Sequence, residues 1–342
     1  MVGCGRISRS HLKAMADNAD RVELAAVCDV VEERARDASE AAGGLPWFAE
    51  IGKMLADVKA DVALIGTPSG MHPAHAIQCA KAGLHVVCEK PMSITLDGAD
   101  AMIKACDDAG VKLFVIKQNR LNQTVKLLRR AVDKGRFGRI FFAGVNVFWS
   151  RPQSYYDQAK WRGTWELDGG AFMNQASHYI DLLHWLVGEV DSVSAVTATL
   201  ARRIETEDTG SAVLRFRNGA VGTINVTMLT FPKNIEGSIT ILGEKGTVKL
   251  GGPAVNKIEA WEFAEYDDDD KEVEQADYSL PPGPAAVYGF GHTGYLRNVL
   301  DTLEKKDDAL TDGRHGRKSL ELILAIYKSA RDRQTVSLPL KL

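Results

Sequence analysis

The chain has no long apolar stretch and little net charge. Its 342 residues carry a formal charge of −3, and nothing approaches the run of about 18 apolar residues that a transmembrane helix needs. A near-neutral chain is not typical of proteins that bind nucleic acid or anionic membranes. We therefore expect no nucleic-acid partner, no membrane partner and no signal peptide ahead of the first motif.

Paired cysteines and metal-ligand spacings are also missing. The five cysteines are odd in number and scattered, without a C-x-x-C pair, so we expect reduced, buried thiols in a cytoplasmic protein. No cluster of histidine, cysteine and acidic residues has the spacing of a metal site, and no metal is predicted. The cysteines are Cys4, Cys28, Cys79, Cys88 and Cys106.

The chain of 342 residues is longer than a single hydrophobic core usually supports. A hydrophobic content of 45% and a charged content of 25% are those of a globular protein. We predict two domains, with residues 1–118 forming the first and residues 119–342 the second. The fold class expected is an α/β Rossmann domain plus an α+β domain with a large, mostly antiparallel open sheet.

The first motif predicts a dinucleotide site. Glycines 3 and 5 precede a helix predicted from about Ser10 to Asn18, then a strand ending at Asp29. This order matches the Rossmann fingerprint, in which glycines admit a pyrophosphate and an acid binds the ribose. Since no arginine follows the acid, NAD is favoured over NADP. The cofactor-binding residues predicted here are Gly3, Gly5, Arg6, Ile7 and Asp29.

Only Met1 and Val2 precede the fingerprint, although the first strand of such a sheet is central. We therefore expect several more apolar residues upstream.

Strands and helices then alternate, which predicts a parallel sheet. Predicted strands end at Thr67-Pro68 and at Glu89-Lys90-Pro91, facing the crevice where such sheets bind ligands. The cofactor-binding residues predicted here are Thr67, Pro68, His72, Glu89 and Lys90, although His72 and His75 are interpreted as structural rather than catalytic. The Lys90–Pro91 bond is expected to be cis.

Beyond residue 118 the pattern changes to long strands without intervening helices, which indicates a mostly antiparallel sheet. The acidic run 267–270 is interpreted as a solvated loop. A helical segment near residues 169–181 places Asn174, His178 and Asp181 at i, i+4 and i+7, and so on one helical face. Together with Lys90, these groups suit proton transfer from a hydroxyl.

These motifs resemble the Gfo/Idh/MocA family of oxidoreductases over nearly the whole chain. The helix motif of that family matches at Gly169, Gly170, His178 and Asp181, and departs at Asp168, Asn174 and Ala176. The segments around Lys117–Arg120, Trp149–Asp157 and Trp161–Trp165 resemble one subgroup, the UDP-N-acetylglucosaminuronate 3-dehydrogenases of bacterial O-antigen and lipopolysaccharide synthesis.

The resemblance implies oxidation of a sugar C3 hydroxyl with NAD. It implies that Gln118, Trp161 and Arg162 contact the cofactor. The same segments contain cations that can bind a uronate and a diphosphate. They also contain aromatic rings and polar groups that can contact the rest of the substrate. The substrate-binding residues predicted are Lys90, Arg120, Arg151, Tyr155, Tyr156, Lys160, Asn174, Ser177 and His178.

Both Lys90 and His178 are predicted to be catalytic, and which one is the base stays open. A protonated lysine suits stabilisation of an alkoxide, whereas histidine titrates near neutrality; burial can reverse these roles. Asp181 is expected to orient His178. Two alternatives remain: a dehydrogenase of an inositol or a neutral sugar, and a non-catalytic dinucleotide sensor.

The bare face expected of the antiparallel sheet predicts a homodimer or homotetramer. Reoxidation of NADH by 2-oxoglutarate is known in the subgroup, and the sequence leaves it open here.

Overall fold

A computed structural model describes residues 1–275 and 291–341. The chain divides into two compact units. The first contains Met1–Lys117, Glu166–Asp168 and His292–Leu320; the second contains Gln118–Trp165, Gly169–Gly291 and Glu321–Leu342. The division at 117/118 lies one residue from the boundary expected, whereas residues 292–320, which we expected in the second domain, group with the first.

The helices alternate with strands in the first unit and are sparse among the strands of the second. They are α1 (Ser8–Ala16), α2 (Glu32–Ala41), α3 (Ile51–Asp57), α4 (His72–Lys81), α5 (Leu96–Asp108), α6 (Gln123–Asp133), α7 (Gln153–Asp157), α8 (Ser177–Val187), α9 (Asp268–Gln275), α10 (Gly291–Leu303) and α11 (Gly313–Asp332). The strands are β1 (Val27–Cys28), β2 (Trp47–Phe48), β3 (Val62–Ile65), β4 (His85–Cys88), β5 (Leu113–Val115), β6 (Ile140–Phe148), β7 (Val190–Ala198), β8 (Thr209–Phe216), β9 (Val221–Thr227), β10 (Glu236–Gly243), β11 (Gly246–Gly251), β12 (Lys257–Phe263) and β13 (Val336–Ser337).

The first unit is built on parallel strands. β1 pairs with β2, and β3, β4 and β5 pair in that order. Val2 joins the two groups, because it forms parallel bridges to both Cys28 and Ile65. Residues at the start of the chain therefore take the central place of the predicted first strand, and the Rossmann prediction is confirmed.

Helix α10 belongs to this unit through a buried tyrosine. The Tyr295 hydroxyl lies 2.7 Å from the Val115 carbonyl oxygen at the end of β5 and 2.8 Å from the Thr311 hydroxyl. These hydrogen bonds satisfy a strand-end carbonyl that would be costly to bury alone.

The second unit contains a large, mostly antiparallel sheet, as predicted. Among the described residues its order is β12-β11-β10-β6-β9-β8-β7-β13, and the β6–β9 pair is parallel. Helices α6 and α8 pack on one face. Along β8 buried and exposed residues alternate, because successive side chains of a strand point to opposite faces.

The acidic run 267–270 differs from the solvated loop that we expected. Asp268–Gln275 is helical, and Asp269 and Asp270 are buried. Lys134 donates to Asp267 at 2.6 Å, and Arg136 makes a two-pronged contact with Asp270 at 2.8 Å. Cations at the end of α6 therefore neutralise the run.

The five cysteines are buried free thiols, as expected. Within residues 1–275 and 291–341, no helix combines the length and apolar character that spanning a membrane requires.

Replacing Tyr295 with phenylalanine should lower the free energy of unfolding by about 1–2 kcal/mol, because it removes a buried hydrogen-bonding hydroxyl. Urea denaturation measures this. Tyr266→Phe is the matched control, since Tyr266 is 63% exposed, and should stay within about 0.5 kcal/mol. Equal effects of the two substitutions would contradict the role assigned to Tyr295.

Candidate active site

The glycine loop before α1 is shaped by close backbone packing. Gly3 has φ +93°, and a Cβ there would lie 2.6 Å from the carbonyl carbon of Gly66. Only glycine fits such a position. A Cβ on Gly5 would meet nothing within 4 Å, which leaves open space beside the N-terminus of α1, where backbone N–H groups can bind a phosphate.

The Asp29 carboxylate is fixed by backbone donors. It accepts hydrogen bonds from the N–H of Cys4 at 2.8 Å and of Val31 at 2.9 Å. Each oxygen retains a further lone pair for a ribose hydroxyl. Arg6 is exposed and Ile7 half-buried at the start of α1. Together with the open space at Gly5, these features fit the dinucleotide that the sequence predicted.

The turn that carries Lys90 is held on both sides. The Lys90 N–H donates to Oε2 of Glu89 at 3.0 Å. The Lys90–Pro91 bond is cis, as expected. The Pro91 carbonyl lies 2.8 Å from Nδ1 of His72, whose Nε2 is 2.8 Å from the Thr67 carbonyl. His72 lies between the lysine turn and the Thr67-Pro68 loop, and its neutral ring can donate to one of these two carbonyl oxygens at a time. This position agrees with a structural role.

The same glutamate lies in a buried cluster of ionisable groups. His11 Nε2 lies 2.9 Å from Glu89 Oε1, and His292 Nε2 lies 3.8 Å from the same oxygen. One ring nitrogen of each histidine and one oxygen of Glu89 all fall within 4.8 Å of one another, a spacing that could also hold a metal ion. Burial alone would raise the pKa of Glu89, but the two imidazoles outweigh it and hold the pKa well below its usual range.

In the second unit, His178 is buried and contacts Gln118, with 3.2 Å between Nε2 of each. Because the amide N–H donates, it requires a lone pair on Nε2 of the imidazole. We predicted Gln118 as a cofactor ligand, and the structure places its amide against the predicted base.

Asp181 does not match the role that we expected for it. Its two oxygens accept from Nε and Nη2 of Arg120 at 2.8 and 2.9 Å, and both residues are buried. Arg120 also lies over the Trp185 ring at 4.7 Å. A bidentate pair with an arginine engages this carboxylate. Arg120, predicted to bind substrate, contributes to an internal ion pair.

Asn174 also departs from its predicted place. Residues Ala171–Gln175 form a wide helical turn of their own, closed by a hydrogen bond from the Ala176 N–H to the Ala171 carbonyl, and α8 begins only at Ser177. His178 and Asp181 therefore share the helix, while Asn174 lies in the turn before it. Such wide turns are frequent at functional sites.

Two residues that the sequence reading missed hold this turn. Glu207 Oε1 accepts hydrogen bonds from the Phe172 N–H and the Tyr327 hydroxyl, each at 2.9 Å. The Tyr327 oxygen accepts the Gly170 and Met173 N–H groups at 3.1 Å. Burial and the nearby carboxylate raise the pKa of Tyr327 well above its usual range, so its hydroxyl remains a donor to Glu207.

Two guanidinium groups gather on one aromatic ring. Arg162 Cζ lies 4.0 Å and Arg151 Cζ 5.4 Å from the centre of the Tyr155 ring. Arg162 also lies 5.2 Å from Trp161, and Gln175 bridges Arg151 and the Tyr155 hydroxyl at 3.2 and 3.1 Å. We call this group the arginine–tyrosine cluster; it consists of Arg151, Tyr155, Trp161, Arg162 and Gln175.

The cluster has cations without counter-charges. Within the described part of the chain neither Arg151 nor Arg162 pairs with a carboxylate, and the buried Nε and Nη1 of Arg162 have no hydrogen-bond partner. Like charges held together in a half-buried place favour a bound anion.

The remaining predicted substrate residues differ in exposure. Tyr156 is 8% exposed and packs edge-to-face on Tyr155. Ser177 is fully buried, and its hydroxyl lies 3.5 Å from the Asn174 carbonyl. Lys160 is exposed. Tyr156 and Ser177 therefore support the site from within, and Lys160 lies on the surface.

Two family profiles match the chain. "Oxidoreductase family, NAD-binding Rossmann fold" matches residues 1–117, and "Oxidoreductase family, C-terminal alpha/beta domain" matches residues 129–338. Among curated proteins, D-apiose dehydrogenase of Paraburkholderia graminis is 26% identical over 99% of this chain and 88% of its own length.

Among solved structures, the WlbA dehydrogenase of Bordetella pertussis in complex with NADH and UDP-GlcNAcA is 58% identical, with a TM-score of 0.95, and the match covers 99% of this chain and 97% of that one. The WlbA dehydrogenase of Chromobacterium violaceum, with the same ligands, is 54% identical, with a TM-score of 0.94 and coverage of 100% and 95%.

The Gly170→Ala substitution should destabilise the wide turn, because a Cβ at this residue would lie 1.6 Å from Glu207 Oε2. We expect a loss of about 2–4 kcal/mol in unfolding free energy, measured by urea denaturation. The control is Gly52→Ala in α3, where a Cβ meets only a side-chain atom at 3.6 Å and alanine favours the helix. A Gly170 variant as stable as wild type would refute the packing role.

Proposed function

Because this chain belongs to the Gfo/Idh/MocA oxidoreductase family and has an NAD-binding Rossmann domain, we propose that it oxidises the C3 hydroxyl of UDP-N-acetylglucosaminuronic acid to the 3-keto sugar. The related Bordetella and Chromobacterium dehydrogenases bind this sugar nucleotide together with NADH. We further propose that the reaction is a cytoplasmic step in the synthesis of O-antigen or lipopolysaccharide sugars.

The observation that carries this proposal is the unneutralised arginine–tyrosine cluster. A UDP-uronate supplies a carboxylate, a diphosphate and a flat uracil ring. Guanidinium groups bind the first two through paired hydrogen bonds, and aromatic faces stack on rings. A neutral polyol such as an inositol would leave the charges of Arg151 and Arg162 without a partner, so an anionic substrate is favoured.

In the proposed mechanism Lys90 and His178 act on the same sugar hydroxyl. NAD, when bound, would supply the acceptor for the hydride that leaves C3. The Nε2 of His178, which lies 3.2 Å from the Gln118 amide nitrogen, takes the hydroxyl proton. The ammonium of Lys90 stabilises the developing negative charge on the oxygen. Asn174 donates to the sugar and cannot act as a base.

The decisive experiment is incubation with NAD and UDP-N-acetylglucosaminuronate, with mass spectrometry of the sugar. We expect NADH and a sugar lighter by two hydrogens. A parallel reaction with 2-oxoglutarate distinguishes release of NADH from reoxidation in place. Turnover of myo-inositol but not of the UDP-sugar would instead identify a polyol dehydrogenase, and absence of NADH with either would favour a sensor.

Lys90→Ala and His178→Ala should each lower kcat by at least about 100-fold, because each removes a group that contacts the reacting hydroxyl. Initial rates of NADH formation measure this. The surface variants Lys104→Ala and His315→Ala, whose side chains pair with Asp108 and Asp312, should retain wild-type rates. Near-full turnover of either site variant would remove that residue from the mechanism.

We also propose that the chain forms a homodimer or homotetramer through its sheet. On the face opposite α6 and α8, Val196, Val213, Val221 and Leu242 are 72, 54, 45 and 36% exposed. The register places them on one face of the sheet, on β7, β8, β9 and β10. Clustered apolar groups of this kind mark interaction surfaces, and a second copy of the sheet would cover them.

The double substitution Val213→Lys and Val221→Lys should dissociate the oligomer, since it places charges at the centre of the proposed interface. Size-exclusion chromatography with light scattering reports the mass. Val30→Lys is the control, because Val30 is 78% exposed in the first unit, and should keep the wild-type mass. A wild-type chain that runs as a monomer would exclude the proposed assembly.

A further inference from the structure

Two buried histidines of the first unit have no part in the mechanism proposed above. His11 comes from α1 and His292 from α10, and they are 3% and 7% exposed. Their rings lie edge-to-face, with 5.3 Å between the ring centres. Both approach one oxygen of Glu89, itself 7% exposed, at 2.9 Å and 3.8 Å. These three residues form the His–Glu–His cluster.

The surroundings of the cluster determine its charge. The small cavity beside the two rings is otherwise lined mainly by apolar side chains, those of Ala14, Leu64, Val87, Ile116 and Leu296. Glu89 is itself buried, and an isolated carboxylate that is cut off from water is strongly disfavoured. An ionised carboxylate only accepts hydrogen bonds, so the His11 Nε2 must carry a hydrogen. One additional proton on the two rings makes the cluster neutral, whereas two would bring two cations together.

The neighbouring titratable groups do not supply that balancing charge. The Tyr295 hydroxyl is hydrogen-bonded at Val115 and Thr311. Burial lowers the pKa of His72, which favours its neutral form. Burial also raises the pKa of Cys88 well above its usual range and keeps it a thiol. The charges that act on the Glu89 carboxylate are those of the two imidazoles.

We propose that His11 and His292 share one proton over the Glu89 carboxylate, and that this neutral cluster positions Lys90. The link is direct, because Oε1 of Glu89 faces the imidazoles while Oε2 accepts the backbone N–H of Lys90 at 3.0 Å. Loss of the negative charge weakens that hydrogen bond and loosens the turn. The two histidines are thus positioning residues. The effect on turnover rests on the proposed function, whereas the shared proton does not.

The shared proton is tested by NMR of protein whose histidine rings carry 15N. At about pH 8, where an unperturbed imidazole is neutral, wild type should show one imidazolium. That signal should disappear in Glu89→Gln and in at least one of His11→Gln and His292→Gln. It should persist in His85→Gln, the control at the other end of β4, where the ring accepts the Lys112 N–H.

The positioning role is tested by kinetics with the same variants. Glu89→Gln keeps the shape and an acceptor for Lys90 but loses the charge. We expect kcat to fall by about 10- to 100-fold, with the KM for the sugar and the Kd for NAD changed by less than about 3-fold, because the binding groups remain in place. His292→Gln should also lower kcat more than it changes the KM for the sugar or the Kd for NAD, but to a smaller degree. His85→Gln should match wild type.

Two neutral rings in wild type at about pH 8, or an unchanged kcat in Glu89→Gln, would overturn the proposal. Stoichiometric zinc in the purified protein would do so as well, because a metal would then occupy the place of the proton. If wild type shows the imidazolium but no turnover of the UDP-sugar, the proposed substrate fails and the shared proton stands.

Discussion

A buried carboxylate at the carboxyl end of β4 determines the geometry of the nucleotide-binding unit. Glu89 accepts from His11 and from the Lys90 backbone at the same time, and its pKa lies well below the usual range, which keeps it ionised. Burial opposes that ionisation, so the carboxylate needs the two imidazoles beside it. Because these come from α1 and α10, the cluster joins the helix of the glycine loop to a helix late in the chain. The cluster thereby holds the backbone of Lys90, the residue expected to face the substrate.

The second unit also has a buried carboxylate that holds part of the backbone in place. Glu207 is buried and accepts from the Phe172 N–H and from Tyr327, and this holds the wide turn before α8. In each unit a carboxylate holds the backbone near a residue that we propose to react, Lys90 in one and His178 in the other.

The parts of the fold that follow from local patterns were predictable. The long strands beyond residue 118 and the glycine fingerprint before α1 depend on neighbours in sequence, and the antiparallel sheet and the Rossmann domain that they predicted were confirmed. The acidic run 267–270 was misread, because its partners Lys134 and Arg136 lie far away in sequence. Asn174 was placed on the wrong helical face for a similar reason, since Glu207 and Tyr327 fix its turn. The sequence did contain one sign of the contact with Glu207. A glycine such as Gly170 often stands where another group approaches the backbone closely.

The sequence predicted which types of residue form the site, but not which of those residues contact each other. Asp181 was assigned to His178 on helical spacing, and the structure pairs it with Arg120. His11 and His292 gave no sign of their common partner, since 281 positions separate them (292 − 11). Pairings between distant residues follow from the folded backbone, which spacing in the sequence does not describe.

The most direct test of this account is a crystal structure of the enzyme with NAD and UDP-N-acetylglucosaminuronate. We predict that Lys90 Nζ and His178 Nε2 both lie within about 3.5 Å of the C3 oxygen of the sugar, with Arg151 or Arg162 on an anionic group of a ligand. A structure in which the two nitrogen atoms face separate cavities, or in which the C3 oxygen contacts neither, would contradict the proposed dehydrogenase mechanism.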